Sequence, residues 1–215
     1  AKKDGIIVNV SEMRMYYFPQ GKNSAFVKTF PISIGRIAWS TPEGEMKIIA
    51  KALNPTWYPP ESIREEHADA GDILPRIVPA GPENPLGSHA IKLSADGYLI
   101  HGTNRPYGIG MRVTHGCIRM YPKDVEEVFN TAPIGTRVEI VNQPYKVGVI
   151  DKKVYLEVHP ILEEDKRNFS DVYRIVTALV LDRTKGMGSL QINLTALWSV
   201  VERKDGVPSL IGSLL

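Results

Sequence analysis

The sequence predicts a mainly β protein: a β-sandwich or barrel-like core with one short helix after its single cysteine, followed by a small α+β extension. Three observations carry this. The first half runs as short apolar segments cut by turn residues, a helical period first sets in just after Cys117, and beyond about residue 142 the pattern changes to a hairpin and two helical stretches. The expected strands are "GIIVNV", "RMYYF", "AFVKTFPISIG", "EMKIIAKAL", "HAIKLS" and "YLIHGT", the last two joined by "ADG". Spacing of this kind belongs to an all-β sandwich or barrel core. Between the fourth and fifth strands lies "NPTWYPPESIREEHADAGDILPRIVPAGPENPLGS". Long loops are usually functional or disordered, and the paired aromatics Trp57 and Tyr58 argue for packing, so we expect a lid beside a cleft.

After Cys117, Pro122 suits a first helical turn, and Val125, Val128 and Phe129 recur at i, i+3, i+4 on one face. "GTRVEIVN" then returns as a strand. Next, "YKVGVI" and "KVYLEVH" suggest a hairpin, and Val172, Ile175, Val176, Leu179 and Val180 follow at helical spacing with Ser170 as the expected cap. A last helix is expected from Asn193, with Leu194, Leu197, Trp198 and Val201 on one face and Gly206 as its terminator. These helices carry no concentration of chemical groups. Residues 146–215 are therefore assigned a structural role, packing on a catalytic domain of residues 1–145.

Composition narrows the function. Hydrophobic residues make up 43% and charged residues 23%, within the ordinary globular range, and no apolar run is long enough to cross a bilayer. The 26 basic and 24 acidic side chains are spread along the chain, leaving no basic stripe to neutralise phosphates, so nucleic acid is not an expected partner. One cysteine excludes an intramolecular disulfide. The opening "AKKDGIIVNV" has neither an initiator Met nor a charged and then apolar leader, and we expect a leader or an upstream domain to have been removed.

The chemistry concentrates in "YLIHGTNRPYGIGMRVTHGCIRM". A thiol becomes a good nucleophile when a base or a positive surrounding lowers its pKa from about 8.5. "YLIHGT" places His101 at a strand end and "THGCIRM" places Cys117 in a tight turn, so adjacency of the two would let His101 hydrogen-bond the thiol. Gly116 lets the backbone approach a substrate closely, and the amides of Gly116 and Cys117 are candidate oxyanion donors. Two other readings fit the same residues. A lone cysteine is often an inert buried hydrophobe, and His101, His115 and Cys117 also supply three zinc donors, although a structural site normally has four.

The stretch "HGTNRPYGIGMRVTHGCIRM" resembles the signature of the L,D-transpeptidase catalytic domain (the YkuD-type domain), in which a His is followed across a glycine-containing loop by Ser/Thr-His-Gly-Cys. His101, Gly102, Thr114, His115, Gly116, Cys117 and Arg119 fall in register. The flanking "TPEGEMKI", "NPTWYPP" and "PAGPENPLGSHAI" are similar to the Gram-negative periplasmic ErfK/YbiS-like subgroup, and Arg119 stands where many wider family members have Asn. The resemblance covers residues 4 to 145 and fades after about 160.

That resemblance implies a cysteine acyltransferase. Its donor is a peptidoglycan tetrapeptide stem, whose third-residue carbonyl forms a thioester with Cys117 as the terminal D-alanine leaves. His101 is then the general base and the Gly102 carbonyl a candidate for orienting it, while His115, the third residue of the implied catalytic set, shapes the pocket or the substrate unless the two histidines exchange roles. Arg119 either pairs with a stem carboxylate or braces the turn, and Arg112 and Thr114 are further candidates for donor contacts. The acceptor is an amine of a second stem or of an outer-membrane lipoprotein lysine; water instead would make an L,D-carboxypeptidase, and an idle thiol a wall-binding module. The implied location is the periplasm, and no metal or cofactor is called for.

Overall fold

A computed structural model describes residues 3–19, 26–167, 169 and 171–215. The chain divides into two compact units, residues 1–141 and 142–215. The first contains strands β1 (Gly5–Asn9), β2 (Arg14–Phe18), β3 (Lys28–Gly35), β4 (Gly44–Leu53), β5 (His89–Leu93), β6 (Leu99–His101), β7 (Arg112–Thr114), β8 (Ile118–Met120) and β9 (Arg137–Val141). They pair in the order β2-β1-β9-β4-β5-β6-β8-β3-β7, and a further β2–β3 pairing closes the sheet on itself. Closure removes most of the exposed edge that an open sheet leaves to aggregation. The expected barrel-like core is therefore present.

Alternation explains what fills it. Successive side chains of a strand point to opposite faces, so Met15 and Tyr17 of β2 and Val138 and Ile140 of β9 are buried while their neighbours are half-exposed. β1 runs parallel to β9, is antiparallel to β2, and is buried along its whole length. The helix that follows Cys117, here α2 (Pro122–Thr131), starts on Pro122 as expected. Its Val125 and Val128 are fully buried, each worth about 1.5–3 kcal/mol of transfer free energy, and Phe129 meets His89 of β5 edge-on at 4.8 Å.

The long excursion between β4 and β5 holds a helix that periodicity did not reveal, α1 (Glu61–Asp69). Its sequence "ESIREEHAD" buries Ile63 alone, so it has no apolar stripe to betray it. The excursion is ordered from within. Trp57 and Val78 form an isolated bridge, and the fully buried Asn84 donates from Nδ2 to the carbonyls of Pro55, Val78 and Pro79 while its Oδ1 accepts from the Leu86 amide. Tyr58 is 67% exposed and so lies outside any core.

In the second unit, β10 (Tyr145–Ile150), β11 (Lys153–Val158), β12 (Leu190–Ile192) and β13 (Ser209–Leu214) form an antiparallel sheet in the order β10-β11-β13-β12. Asp151 and Lys152, both at positive φ, make the two-residue hairpin turn between β10 and β11. Helices α3 (Val172–Thr184) and α4 (Leu194–Arg203) bury Val176, Val180, Leu197, Val200 and Val201 in one cluster with Val154, Leu156 and Ile211 of their own sheet.

Two expected helix ends differ. Ser170 lies outside the described residues, and the α3 cap is Asp171, whose side chain accepts from the Arg174 amide. Helix α4 does begin at an Asn193 cap, but it ends on Lys204 in the left-handed conformation before reaching Gly206. Gly206 serves packing instead, because a Cβ there would stand 2.7 Å from the His159 ring. Leu194 is 58% exposed, with Val200 taking the buried place that the periodicity assigned to it.

Replacing Asn84 by Ala removes the side-chain partner of the Pro55 and Pro79 carbonyls and of the Leu86 amide, while the Val78 carbonyl still accepts from the Trp57 amide. We expect Asn84→Ala to lose about 2–3 kcal/mol in urea denaturation, and Asn84→Asp to lose as much because a carboxylate cannot donate to those carbonyls. An Asp variant as stable as the original protein would sink this account of the excursion.

Candidate active site

Parallel pairing of β6 with β8 sets Ile100 opposite Ile118 and His101 opposite Arg119. The pleat then sorts the residues: Ile100 and Ile118 are buried in the core, while His101 and Arg119 share the other face. Cys117, immediately before β8, continues the alternation and falls level with Leu99. At about 3.3 Å rise per residue, thiol and imidazole are diagonal neighbours on adjacent strands, offset by about 6–7 Å along them. The adjacency expected of strand end and turn is present. At rest, however, the thiol contacts the Gly97 carbonyl at 3.7 Å, and no hydrogen bond joins it to His101 among the described residues.

His101 is buried, and its Nδ1 lies 2.7 Å from the Gly102 carbonyl, with the Leu86 carbonyl also in reach. A carbonyl only accepts, so Nδ1 carries the proton and Nε2 keeps the lone pair. Burial, then the nearby Arg119 guanidinium, holds this imidazole down at about 4. Gly102 is itself fixed by its amide, which donates to the His89 carbonyl at 3.0 Å. Burial pushes the Cys117 thiol up, against smaller downward pulls from the Leu99 backbone and Arg119. Both shifts favour the neutral thiol and the neutral imidazole over a resting ion pair.

The turn carrying Cys117 is braced from several sides. Gly116 takes φ +99°, and a Cβ there would come within 2.8 Å of the Tyr98 ring. The Thr114 hydroxyl is buried, donates to the Cys117 carbonyl at 2.6 Å and accepts from the Gly116 amide at 3.2 Å. Thr114 thereby shapes the turn, and of the two amides expected as oxyanion donors that of Gly116 is already engaged. Thr41 Oγ1 accepts from the Gly35 amide and donates to the Gly116 carbonyl at 2.9 Å. Arg112, on β7, directs its Nε to the Gly35 carbonyl at 3.3 Å, so it too braces the turn.

His115 faces a different group. Its Nε2 is 2.6 Å from Arg36 Nη2 and 3.1 Å from Glu66 Oε2, and its ring meets Trp39 edge-on at 5.2 Å. Burial, then the Arg36 charge, lowers its pKa, while Arg36 foremost holds the Glu66 carboxyl below its usual range. Among the described residues His101, His115 and Cys117 do not bring donor atoms within 4.8 Å of one another. The arrangement is therefore unlike a zinc site. Arg119 is half-buried, its Nε has no hydrogen-bond partner among the described residues, and burial together with Arg105 lowers its pKa.

Arg36, Thr41 and Glu66 escaped the sequence. Each lies at least one strand away from the motif in the chain, and Glu66 sits in a charged stretch that reads as a solvated surface.

Comparison with known proteins places the chain in a family. The profile of the L,D-transpeptidase catalytic domain matches residues 3–140. The probable L,D-transpeptidase YcfS of Escherichia coli (strain K12) is 45% identical over 213 residues, covering 97% of this chain and 65% of that protein. The probable L,D-transpeptidase ErfK/SrfK of Salmonella typhimurium is 38% identical over 211 residues, covering 96% and 66%. This chain thus spans about two thirds of the length of such relatives. Among solved structures, an L,D-transpeptidase from Mycobacterium smegmatis matches 65% of this chain and 58% of its own at a TM-score of 0.46 and 18% identity. Since the profile covers more than half of the sequence and relatives more than 35% identical align over nearly all of it, the chain belongs to the L,D-transpeptidase catalytic domain family.

Proposed function

We propose that this chain is a peptidoglycan L,D-transpeptidase working through a Cys117 thioester. The observation that carries the reading is the β6–β8 pair, which gathers a tautomer-fixed imidazole, a thiol and an under-partnered guanidinium on one face. His101 Nε2 takes the thiol proton as sulfur attacks the third-residue carbonyl of a tetrapeptide stem. The Cys117 amide receives the developing oxyanion. Collapse breaks the C–N bond to the terminal D-alanine, whose amine takes the proton back from His101. The acceptor amine then loses a proton to His101, attacks the thioester and releases the thiol.

Because the thiol is un-ionised at rest, proton transfer must accompany attack, and a base of low pKa remains unprotonated across the physiological range. Arg119 accounts for the donor: a half-buried guanidinium with an unpartnered Nε and a second cation beside it favours a carboxylate, which the stem peptide carries. The acceptor in this reading is the amine of a second stem or a lipoprotein lysine. The substrate would place the protein in the periplasm. No helix among the described residues is long and apolar enough to cross a membrane.

Purified tetrapeptide muropeptides incubated with the protein should lose D-alanine and join, as read by mass spectrometry. Loss without joining would mean water as acceptor, an L,D-carboxypeptidase. Cys117→Ala should show neither reaction while its stability stays within about 1 kcal/mol; a chemically idle wall-binding module would show no difference between the two proteins.

The rate of Cys117 acylation by a carbapenem should hold steady from pH 7 down to about 5 and then fall with an apparent pKa of about 4, as His101 is protonated. A midpoint near the ordinary ~6.5 would remove His101 as this low-pKa base. Arg119→Lys should raise KM for the tetrapeptide about tenfold, since an ammonium cannot reproduce the planar fork; an unchanged KM would assign Arg119 to bracing the turn.

A further inference from the structure

We propose that Glu66 is a positioning residue for the nucleophile turn, acting through His115; this rests on the thioester reading above. Glu66 lies on α1. That helix buries one apolar side chain, Ile63, so packing alone fixes it weakly. Its Glu66 carboxylate reaches out of the excursion to two groups at the turn, Arg36 Nη2 through Oε1 and His115 Nε2 through Oε2 at 3.1 Å.

Arg36 needs this carboxylate. Its Nε is buried with no hydrogen-bond partner among the described residues, and Glu66 is the ion-pair partner of its guanidinium. A partly buried cation left without its counter-ion is unfavourable and moves to find water. Movement of the guanidinium would take with it the Nη2 contact to His115 at 2.6 Å, while the Arg36 backbone is tied to the turn separately through its amide, which donates to the Thr114 carbonyl at 3.0 Å. His115 in turn stands next to Gly116, which has no side chain to stiffen it and holds a φ of +99°. Anchoring the His115 ring between Arg36, Glu66 and the edge of Trp39 supplies the stiffness that the glycine lacks.

One nitrogen cannot accept from Arg36 and donate to Glu66 at once. With His115 neutral and Nε2 accepting from the guanidinium, Glu66 acts by holding Arg36 in place. If Nε2 is protonated it donates to Glu66 directly. Both settings need the carboxylate, which His67, the other titratable group that acts on His115, cannot replace. Both Arg36 and Glu66 remain more than a third exposed, so the pair adds little to global stability. Its effect should fall on the turn.

The test is a double-mutant cycle of Glu66→Ala and His115→Ala, with Glu66→Asp and Glu66→Gln as further variants. Steady-state turnover of tetrapeptide is measured alongside alkylation of Cys117 by iodoacetamide, hydrogen exchange of residues 112–118, and Tm. Glu66→Ala should lower kcat about tenfold with KM changed less than twofold, speed exchange across the turn, and leave Tm within the spread of replicate melts. Glu66→Gln, which still accepts from Arg36, should retain more kcat than Glu66→Asp, which is too short to reach both partners. In the His115→Ala background, Glu66→Ala should have no further effect. Additive losses, or unchanged kcat, alkylation and exchange in Glu66→Ala, would overturn the proposal. Should the unsubstituted protein fail to turn over tetrapeptide, the functional reading falls, while alkylation and exchange still decide the role of Glu66.

Discussion

The parallel register of β6 and β8 is the constraint on which the site depends. Antiparallel neighbours can be joined by a two-residue turn, but parallel neighbours require a long crossover, and residues 102–117 are that crossover. The connection has to climb away from His101, return along β7, and re-enter the sheet beside the strand it left. The turn at its re-entry is where Cys117 sits. A one-residue slip of β8 would carry Arg119 and Cys117 to the core side and put Ile118 in their place. The full burial of Ile100 and Ile118 opposes such a slip, so the core that stabilises the barrel also fixes the face on which the chemistry occurs.

Electrostatics at the site follow from that burial. His101 is buried and keeps the Gly102 carbonyl on Nδ1, which sets its tautomer without supplying a negative charge. A carboxylate in that position would have raised the imidazole pKa and favoured a resting ion pair. Carbonyls leave the imidazole neutral and the thiol protonated. In the proposed mechanism the proton therefore moves as the carbonyl is attacked, because only a small fraction of a thiol with a raised pKa is present as the reactive thiolate at rest.

How much of this was legible beforehand varies with the physical signal. Strand alternation, Pro122 at the helix start and the Asn193 cap are local preferences, and the structure has each of them. Helix α1 was not legible because a helix that buries one side chain leaves no period in the sequence. The end of α4 was misplaced because Lys204 takes the left-handed turn, while Gly206 answers a non-local demand, the His159 ring pressed against it. Likewise the Thr114 hydroxyl resembled a substrate contact until the turn folded it back onto Cys117 and Gly116.

By itself the sequence determined the family motif and that strands and turns would present it, since residue type, period and turn punctuation are properties of neighbours in the chain. Tertiary structure decided everything that depends on distance between segments. It chose the parallel pairing that sets Cys117 beside His101, turned the shared nitrogen of His115 toward Arg36 and Glu66, and left the Arg119 Nε without a hydrogen-bond partner among the described residues. The reason is that a pKa and a hydrogen bond are set by what lies within a few ångströms, and in a closed barrel those atoms come from strands and loops far apart along the chain.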